Sequence, residues 1–200
     1  MNNMKIEKLE QGSEEWFAAR EGRLTASNAQ AIATAGKGLE TYIIKIMSEK
    51  YSKGERKSFS NEHTDRGNEL EGKARELYSF SNNVEVEEVG LIEMNEYVSC
   101  SPDGLVGDEG GIEIKCIDDF GYFKFFLEGE KNIESKYLWQ IQMNLFITKR
   151  KWWDFVAYNP NYDKPIFVYR ILPDKDKFKK LEIGIEAGTE KIKQINKKLS

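Results

Sequence analysis

The chain has 200 residues, 40% hydrophobic and 32% charged, a balance that suits one globular domain with a sizeable core. Its formal net charge of −4 excludes a uniformly basic coat, so any binding of nucleic acid would require the 30 lysines and arginines to be segregated into a channel. The lone histidine, His63, disfavours His-metal nucleases, phospholipase-D-like enzymes and Ser-His-Asp hydrolases, and is expected to be exposed and incidental. No apolar run approaches membrane-spanning length, and residues 1–5 carry no signal-peptide core. Cys100 and Cys116 are expected as buried, reduced thiols, which suggests an intracellular setting.

Taken in order, Ser13 is placed to cap a helix whose first turn holds Glu14 and Glu15, as the helix dipole favours. Trp16 and Arg20 stand at i and i+4 on it, so the guanidinium can lie against the indole. Thr25-Ala26-Ser27 opens an alanine-rich helix, where hydroxyls either cap the first turn or build an anion site with its free N–H groups. After Gly36 to Gly38 a helix is predicted over 39–51, then a polar loop over 52–63, then a helix over 66–80 with Leu70, Ala74, Leu77 and Tyr78 as its apolar stripe. Glu71 borders that stripe and can pair with Arg75 at i+4.

Residues 84–94 alternate weakly as a strand, and 97–100 lead into the stretch around which the chain is organised. Residues 99–116 read as a hairpin, with the glycine and acid cluster at 107–111 as its turn. A loop at Asp108 to Gly110 would pair Gly107 with Gly111 and bring Asp103 within about two rungs of Glu113. On the second strand Ile112, Ile114 and Cys116 share one face, Glu113 and Lys115 the other. Asp118-Asp119 opens a helix whose Phe120, Phe123, Phe126 and Leu127 are expected in the core. The helix predicted over 134–148 is apolar except for a narrow stripe of Gln140 and Asn144 at i and i+4, with Gln142 a weaker site candidate. Strands are predicted over 151–158 and 166–172. The last helix, from Asp174, spaces Phe178, Leu181, Ile185, Ile192, Ile195 and Leu199 by threes and fours, which fits either a subunit seam or packing on its own sheet. The mixture of strands and helices implies one α/β domain over 1–200, with a central mixed β-sheet flanked by helices.

Two carboxylates, a backbone carbonyl and a neighbouring lysine suit a magnesium-dependent phosphodiester hydrolase, because hard divalent ions take oxygen ligands and stabilise charge on a phosphate in transit. Pro102-Asp103 followed by Glu113-Ile114-Lys115 resembles the PD-(D/E)XK nuclease signature, which alone is short enough to be a hairpin with solvated charges.

Further blocks add to it. Gln11-Gly12-Ser13-Glu14-Glu15-Trp16, Arg20, Thr25-Ala26-Ser27, Gly67 through Glu71 to Ala74-Arg75, Cys100-Ser101-Pro102-Asp103-Gly104-Leu105, Glu113-Ile114-Lys115-Cys116 and Tyr137-x-x-Gln140-Ile141-Gln142 resemble, in order, the blocks of the phage lambda exonuclease family, the YqaJ-type viral recombinases. The resemblance covers about residues 11–160. It implies a two-metal deoxyribonuclease that uses Mg²⁺ (Mn²⁺ as substitute) and degrades one strand of duplex DNA from a 5′-phosphorylated end. It would place Asp103, Glu113 and the Ile114 carbonyl on one metal, Asp103 and Glu71 on the second, and Lys115 with Gln140 at the attacking water. Arg20, Ser27 and Ser101 would form the 5′-phosphate pocket. It further implies a homotrimer ring, a single-strand annealing protein as partner, and a phage or prophage gene expressed in a bacterial cytoplasm. Arg66 departs from the aromatic residue of the family's prototype, and residues 36–65 match no block. An endonuclease or resolvase with the same signature, and a non-catalytic module that binds DNA ends, remain the alternatives.

Overall fold

The computed structural model describes residues 5–53 and 62–199, and the side chains among them outside 62–68. The predicted exposure of His63, the departure at Arg66 and most of the predicted 52–63 loop lie outside what is described. The strands are β1 (Lys5–Glu7), β2 (Leu24–Thr25), β3 (Val86–Glu87), β4 (Leu91–Asn95), β5 (Val98–Cys100), β6 (Gly104–Val106), β7 (Gly110–Cys116), β8 (Trp152–Tyr158) and β9 (Ile166–Ile171). The helices are α1 (Glu14–Arg20), α2 (Ala29–Thr34), α3 (Lys37–Tyr51), α4 (Glu62–Asn82), α5 (Asp119–Glu128), α6 (Ser135–Thr148) and α7 (Lys175–Leu199).

They build a mixed α/β structure with two mixed sheets, ordered β1-β4-β5-β2 and β3-β6-β7-β8-β9. In the larger sheet β7 and β8 run parallel, Gly110 opposite Trp152 through Cys116 opposite Tyr158, and α5 and α6 make the crossover that a parallel pair requires. The alternation predicted for β7 holds at its centre. Ile112 and Ile114 pack with Ala74 and Tyr78 of α4 and with Val156 and Tyr158 of β8. The opposite face turns towards α6, which contacts β8 as well as β4 and β5 of the smaller sheet. Glu113, on that face, therefore sits inside the protein, not over an open cleft.

Several expectations are corrected. The predicted 84–94 strand is two strands in different sheets. It breaks at Gly90, where the chain passes so close to Leu9 that an added Cβ would lie 2.1 Å from its carbonyl oxygen. The predicted 99–116 hairpin is continuous only from Gly104 onwards, because β5 belongs to the smaller sheet and the chain changes sheets through Ser101, Pro102 and Asp103.

The hairpin's register also differs: Val106 faces Gly110 and Gly104 faces Ile112, with Gly107 to Glu109 as the loop. Gly107 takes a left-handed φ of 51°. Gly110 and Gly111 lie in the strand because the Trp152 and Trp153 rings cover them; a Cβ would stand 2.1 Å from one and 2.5 Å from the other. Continuing the observed register by one rung sets Asp103 directly opposite Glu113.

In α5 the inward positions belong to Tyr122 and Phe125, leaving Phe120 (76% exposed), Phe123, Phe126 and Leu127 on the outside. Cys100 is buried as expected, whereas Cys116, the last residue of β7, is exposed. α7 packs on helices of its own chain, chiefly α2, α3 and α6, and not on the face of a sheet as expected. Leu181, Ile185 and Ile192 are buried, and Gly184 lets the helix approach the backbone of α2, where a Cβ would fall 1.9 Å from the Ile32 carbonyl oxygen.

Candidate active site

The first acid is positioned by the end of a strand pairing. Beyond Gly104 and Ile112 the residue in register with Ile114 would be Pro102, which has no N–H to give the Ile114 carbonyl and whose own carbonyl accepts from Gln11 as the chain turns away to the other sheet. The Asp103 carboxylate takes over, its Oδ2 accepting the Ile114 N–H at 2.6 Å. Because the N–H and C=O of one strand residue point to the same side, the Ile114 carbonyl lies on that same open edge.

Glu113 is fully buried, and three side-chain donors meet its carboxylate. Its Oε1 accepts from Lys115 Nζ and from Gln140 Nε2, each at 2.5 Å, and its Oε2 accepts from Asn144 Nδ2 at 3.2 Å. Lys115 Nζ also stands 3.9 Å from Asp103 Oδ2, so one ammonium spans both acids. Burial first, and then the Asp103 charge, push the Glu113 carboxyl above the usual carboxylate range. Burial works against the Lys115 ammonium, but the Glu113 and Asp103 carboxylates outweigh it and hold the lysine charged.

Glu71 comes from α4 and makes the ion pair read for it. Its Oε1 pairs with Arg75 at 2.7 Å, the i,i+4 bridge worth about 0.3–0.5 kcal/mol on a helix surface. It also faces Asp103: burial, and then repulsion from that carboxylate, raise its pKa. Arg75 ties the group together, donating from Nε to the Asp103 carbonyl at 3.0 Å and pairing with Glu88 at 2.8 Å.

Among the described residues no group of three or more His, Cys, Asp and Glu side chains is gathered at metal-holding spacing. What the site offers a hard cation is chemistry of the right kind: carboxylate oxygens of Asp103 and Glu113, the Ile114 carbonyl edge, and Glu71 nearby. Burial and then the Asp103 charge raise Glu71 and Glu113 in spite of Lys115, and an added cation would oppose both causes. The residues fit such an ion in donor type and charge.

A second cluster adjoins the first through Pro102. Ser13 caps α1 by accepting from the Trp16 N–H at 3.2 Å, and the Arg20 guanidinium lies 4.1 Å from the centre of the Trp16 ring. Arg20 donates to Ser101 Oγ at 2.7 Å, and Trp16 Nε1 reaches the same hydroxyl and the Gly90 carbonyl, each at 3.0 Å. Burial lowers the Arg20 pKa, and among the described residues no carboxylate pairs with it. A desolvated guanidinium with hydroxyl company is a receptor for an anion.

Ser27 joins at one remove. Its hydroxyl lies 3.2 Å from Thr25 Oγ1, which lies 3.0 Å from Tyr42 Oη, whose phenol is near enough to bear on the Arg20 charge. The helix expected to open at Thr25 begins as a 3-10 turn, Ala26–Asn28, and neither Thr25 nor Asn28 caps through its side chain. A cavity of about 460 Å³ opens beside Asp103, lined by Gln11, Glu71, Arg75 and Gly90 among others.

Gln140 reaches Glu113 directly. Gln142 does not belong to the site; it donates to the Leu172 carbonyl at 2.8 Å and accepts from the Asp174 N–H at 2.9 Å, fastening α6 to the approach to α7. Sequence reasoning set Asn144 beside Gln140 in the polar stripe but gave it no role at the site. It gave none to Gln11 either, whose amide donates to the Val89 and Pro102 carbonyls at 3.0 and 2.9 Å and pins the segment before Asp103.

Residues 15–151 match the model of the YqaJ-like viral recombinase domain. The chain belongs to this family. Among solved structures it is similar to an alkaline exonuclease (LHK-Exo) from Laribacter hongkongensis, at 32% identity and TM-score 0.82, over 94% of this chain and 96% of that one. The same exonuclease in complex with dAMP matches equally. A phage-related exonuclease from Haemophilus somnus shares the fold at TM-score 0.67 and 19% identity, over 89% of this chain and 96% of that one. The chain is also similar to an uncharacterized protein, R354, of Acanthamoeba polyphaga mimivirus. The two are 29% identical over 166 residues, 76% of this chain but only 30% of that protein's length.

Proposed function

We propose that this YqaJ-family chain is a magnesium-dependent 5′-to-3′ exonuclease that degrades one strand of duplex DNA from a 5′-phosphorylated end and leaves 3′ single-stranded tails. The observation that carries the reading is the junction at Pro102, which joins a cluster of mutually repelling acids around Lys115 to the Arg20–Ser101 pair. Kinship with proteins named exonucleases supports the same reading.

In it, Asp103, Glu113 and the Ile114 carbonyl hold one Mg²⁺, and Asp103 with Glu71 the second; Mn²⁺ substitutes. When bound, the metal supplies charge neutralisation at the scissile phosphate and a more acidic water. Lys115 donates from Nζ to the attacking water, and Gln140, already on Glu113, fixes that carboxylate and the lysine beside it. Arg20, Ser101 and Ser27 hold the terminal 5′-phosphate, which sets polarity and places the next linkage over Asp103. The wider setting belongs to the same proposal: a homotrimer ring around the duplex, a single-strand annealing protein as partner, and phage-type recombination in a bacterial cytoplasm.

The test is digestion of a linear duplex with a 5′-phosphate on one strand and a 5′-hydroxyl on the other, in Mg²⁺ or EDTA, beside covalently closed circles. Loss of the phosphorylated strand alone, only with Mg²⁺ and never from circles, supports the proposal. Cutting of circles replaces it with an endonuclease, and no cutting with any divalent metal leaves an end-binding module.

A further inference from the structure

We infer that Asn144 is a positioning residue that fixes the Glu113 carboxylate for cation binding. The inference rests on the metal-dependent reading above. Asn144 lies on α6, one turn after Gln140, and is fully buried. Among the described residues its side chain makes one hydrogen bond, the 3.2 Å donation to Glu113 Oε2, while its own Oδ1 is buried and finds no partner there. An amide kept in a core with its oxygen unpaired is poor packing chemistry, and what it gains is a donor to Glu113 Oε2, which an apolar side chain would leave as a buried, unpartnered carboxylate oxygen.

What the amide provides is direction. The last torsion of a glutamate is broad, so the plane of its carboxylate is set by what its oxygens bond. Lys115 and Gln140 both act on Oε1, so without Asn144 nothing in the described structure holds Oε2. With it, the plane of the carboxylate is fixed from the α6 side, and the donors of Lys115 and Gln140 can be given up to a cation or a water without the acid swinging away. Partners of metal-binding carboxylates behave in this manner, and their loss costs roughly ten- to a hundredfold in metal affinity or activity.

The test compares wild type, Asn144→Ala and Asn144→Leu by three readouts: Mn²⁺ binding by calorimetry, thermal unfolding in EDTA, and the Mg²⁺ concentration at half-maximal cleavage. A weakening of Mn²⁺ binding by roughly tenfold or more in both variants, with a matching rise in the Mg²⁺ midpoint, is expected at temperatures where melting in EDTA shows both variants still folded. A merely structural asparagine would move the unfolding temperature and leave Mn²⁺ affinity unchanged, and that result overturns the inference. Absence of Mn²⁺ binding in the wild type would instead overturn the metal-dependent reading itself. Should Asn144→Ala fail to fold, the leucine variant, which keeps the volume, decides alone.

Discussion

The Asp103 carboxylate accepts the Ile114 N–H at 2.6 Å, so the acid opposite Glu113 also completes the hydrogen bonding of the strand that carries Glu113. Its structural and chemical duties can be separated by substitution. Asp103→Asn keeps an oxygen for the Ile114 N–H but gives up a charge; Asp103→Ala gives up both. Both variants should lose cleavage by on the order of a hundred- to a thousandfold, the equivalent of several kcal/mol of transition-state stabilisation. Only the alanine variant should also lose stability, by about 1–3 kcal/mol for a buried N–H left unpaired. Single-turnover cleavage and thermal unfolding check the two halves, and near-normal turnover in either variant would remove Asp103 from the site.

Arg20 should govern the choice of end. Its donation to Ser101 Oγ at 2.7 Å and its stacking on Trp16 place a cation whose charge no described carboxylate meets. Arg20→Gln should erase a preference for 5′-phosphate over 5′-hydroxyl ends worth about ten- to a hundredfold, the range of a charge-assisted hydrogen bond. The rate on hydroxyl ends should change little. Competition between the two labelled duplexes measures this directly, and equal losses on both ends would count against a phosphate pocket.

Stability should respond to magnesium more strongly as pH rises. Glu71 and Glu113 both have folded pKa values above their unfolded value of about 4.3, chiefly through burial and then through Asp103. The folded state therefore holds the extra protons. The stability they contribute is complete below the unfolded pKa and is lost as pH climbs from there through the raised folded values. A bound cation removes that loss, so the rise in Tm on adding Mg²⁺ should be larger at pH 8 than at pH 6. Melting curves at both pH values, with EDTA controls, check it; an equal or reversed gain would mean that these acids do not take up the ion.

Gly111 should be intolerant of a single methyl group. A Cβ there would meet the Trp153 ring at 2.5 Å, and Trp153 is completely buried. Gly111→Ala should cost about 1–3 kcal/mol by overpacking, or a Tm fall of roughly 2–4 °C for each kcal/mol in a chain of this size. Gly107→Ala probes the loop instead, where space is open but φ is 51°. Differential scanning calorimetry of the two variants compares ring crowding with backbone strain.

Much of this was legible in the residues, and for physical reasons. The alternation of Ile112 to Lys115, the polar stripe of Gln140 on an apolar helix, and the i,i+4 pairing of Trp16 with Arg20 each follow from strand or helix periodicity. The structure places each of them as read. The hairpin register was misread because glycine serves two purposes. Beside Asp108 and Glu109 it signals a turn, yet Gly110 and Gly111 are strand residues shaped by tryptophans some forty positions later, which no local pattern reveals. The α5 phenylalanines were misplaced for a related reason, since an aromatic-rich helix has no polar face to tell inside from outside. The separation of β4 and β5 from the larger sheet is likewise a tertiary choice, made where Gly90 passes Leu9 and where Pro102 turns the chain.

Lys115, spanning Glu113 at 2.5 Å and Asp103 at 3.9 Å, sets an order of events. Small zinc domains cannot fold until their ion arrives, because nothing else neutralises their ligands. Here the chain carries its own counter-ion, so it can complete its fold straight from synthesis, however scarce divalent ions are, and be armed afterwards. Far-ultraviolet dichroism of protein refolded in EDTA should therefore match that of protein refolded in Mg²⁺. On the proposed metal-dependent reading, such a nuclease would be inert while it is being built.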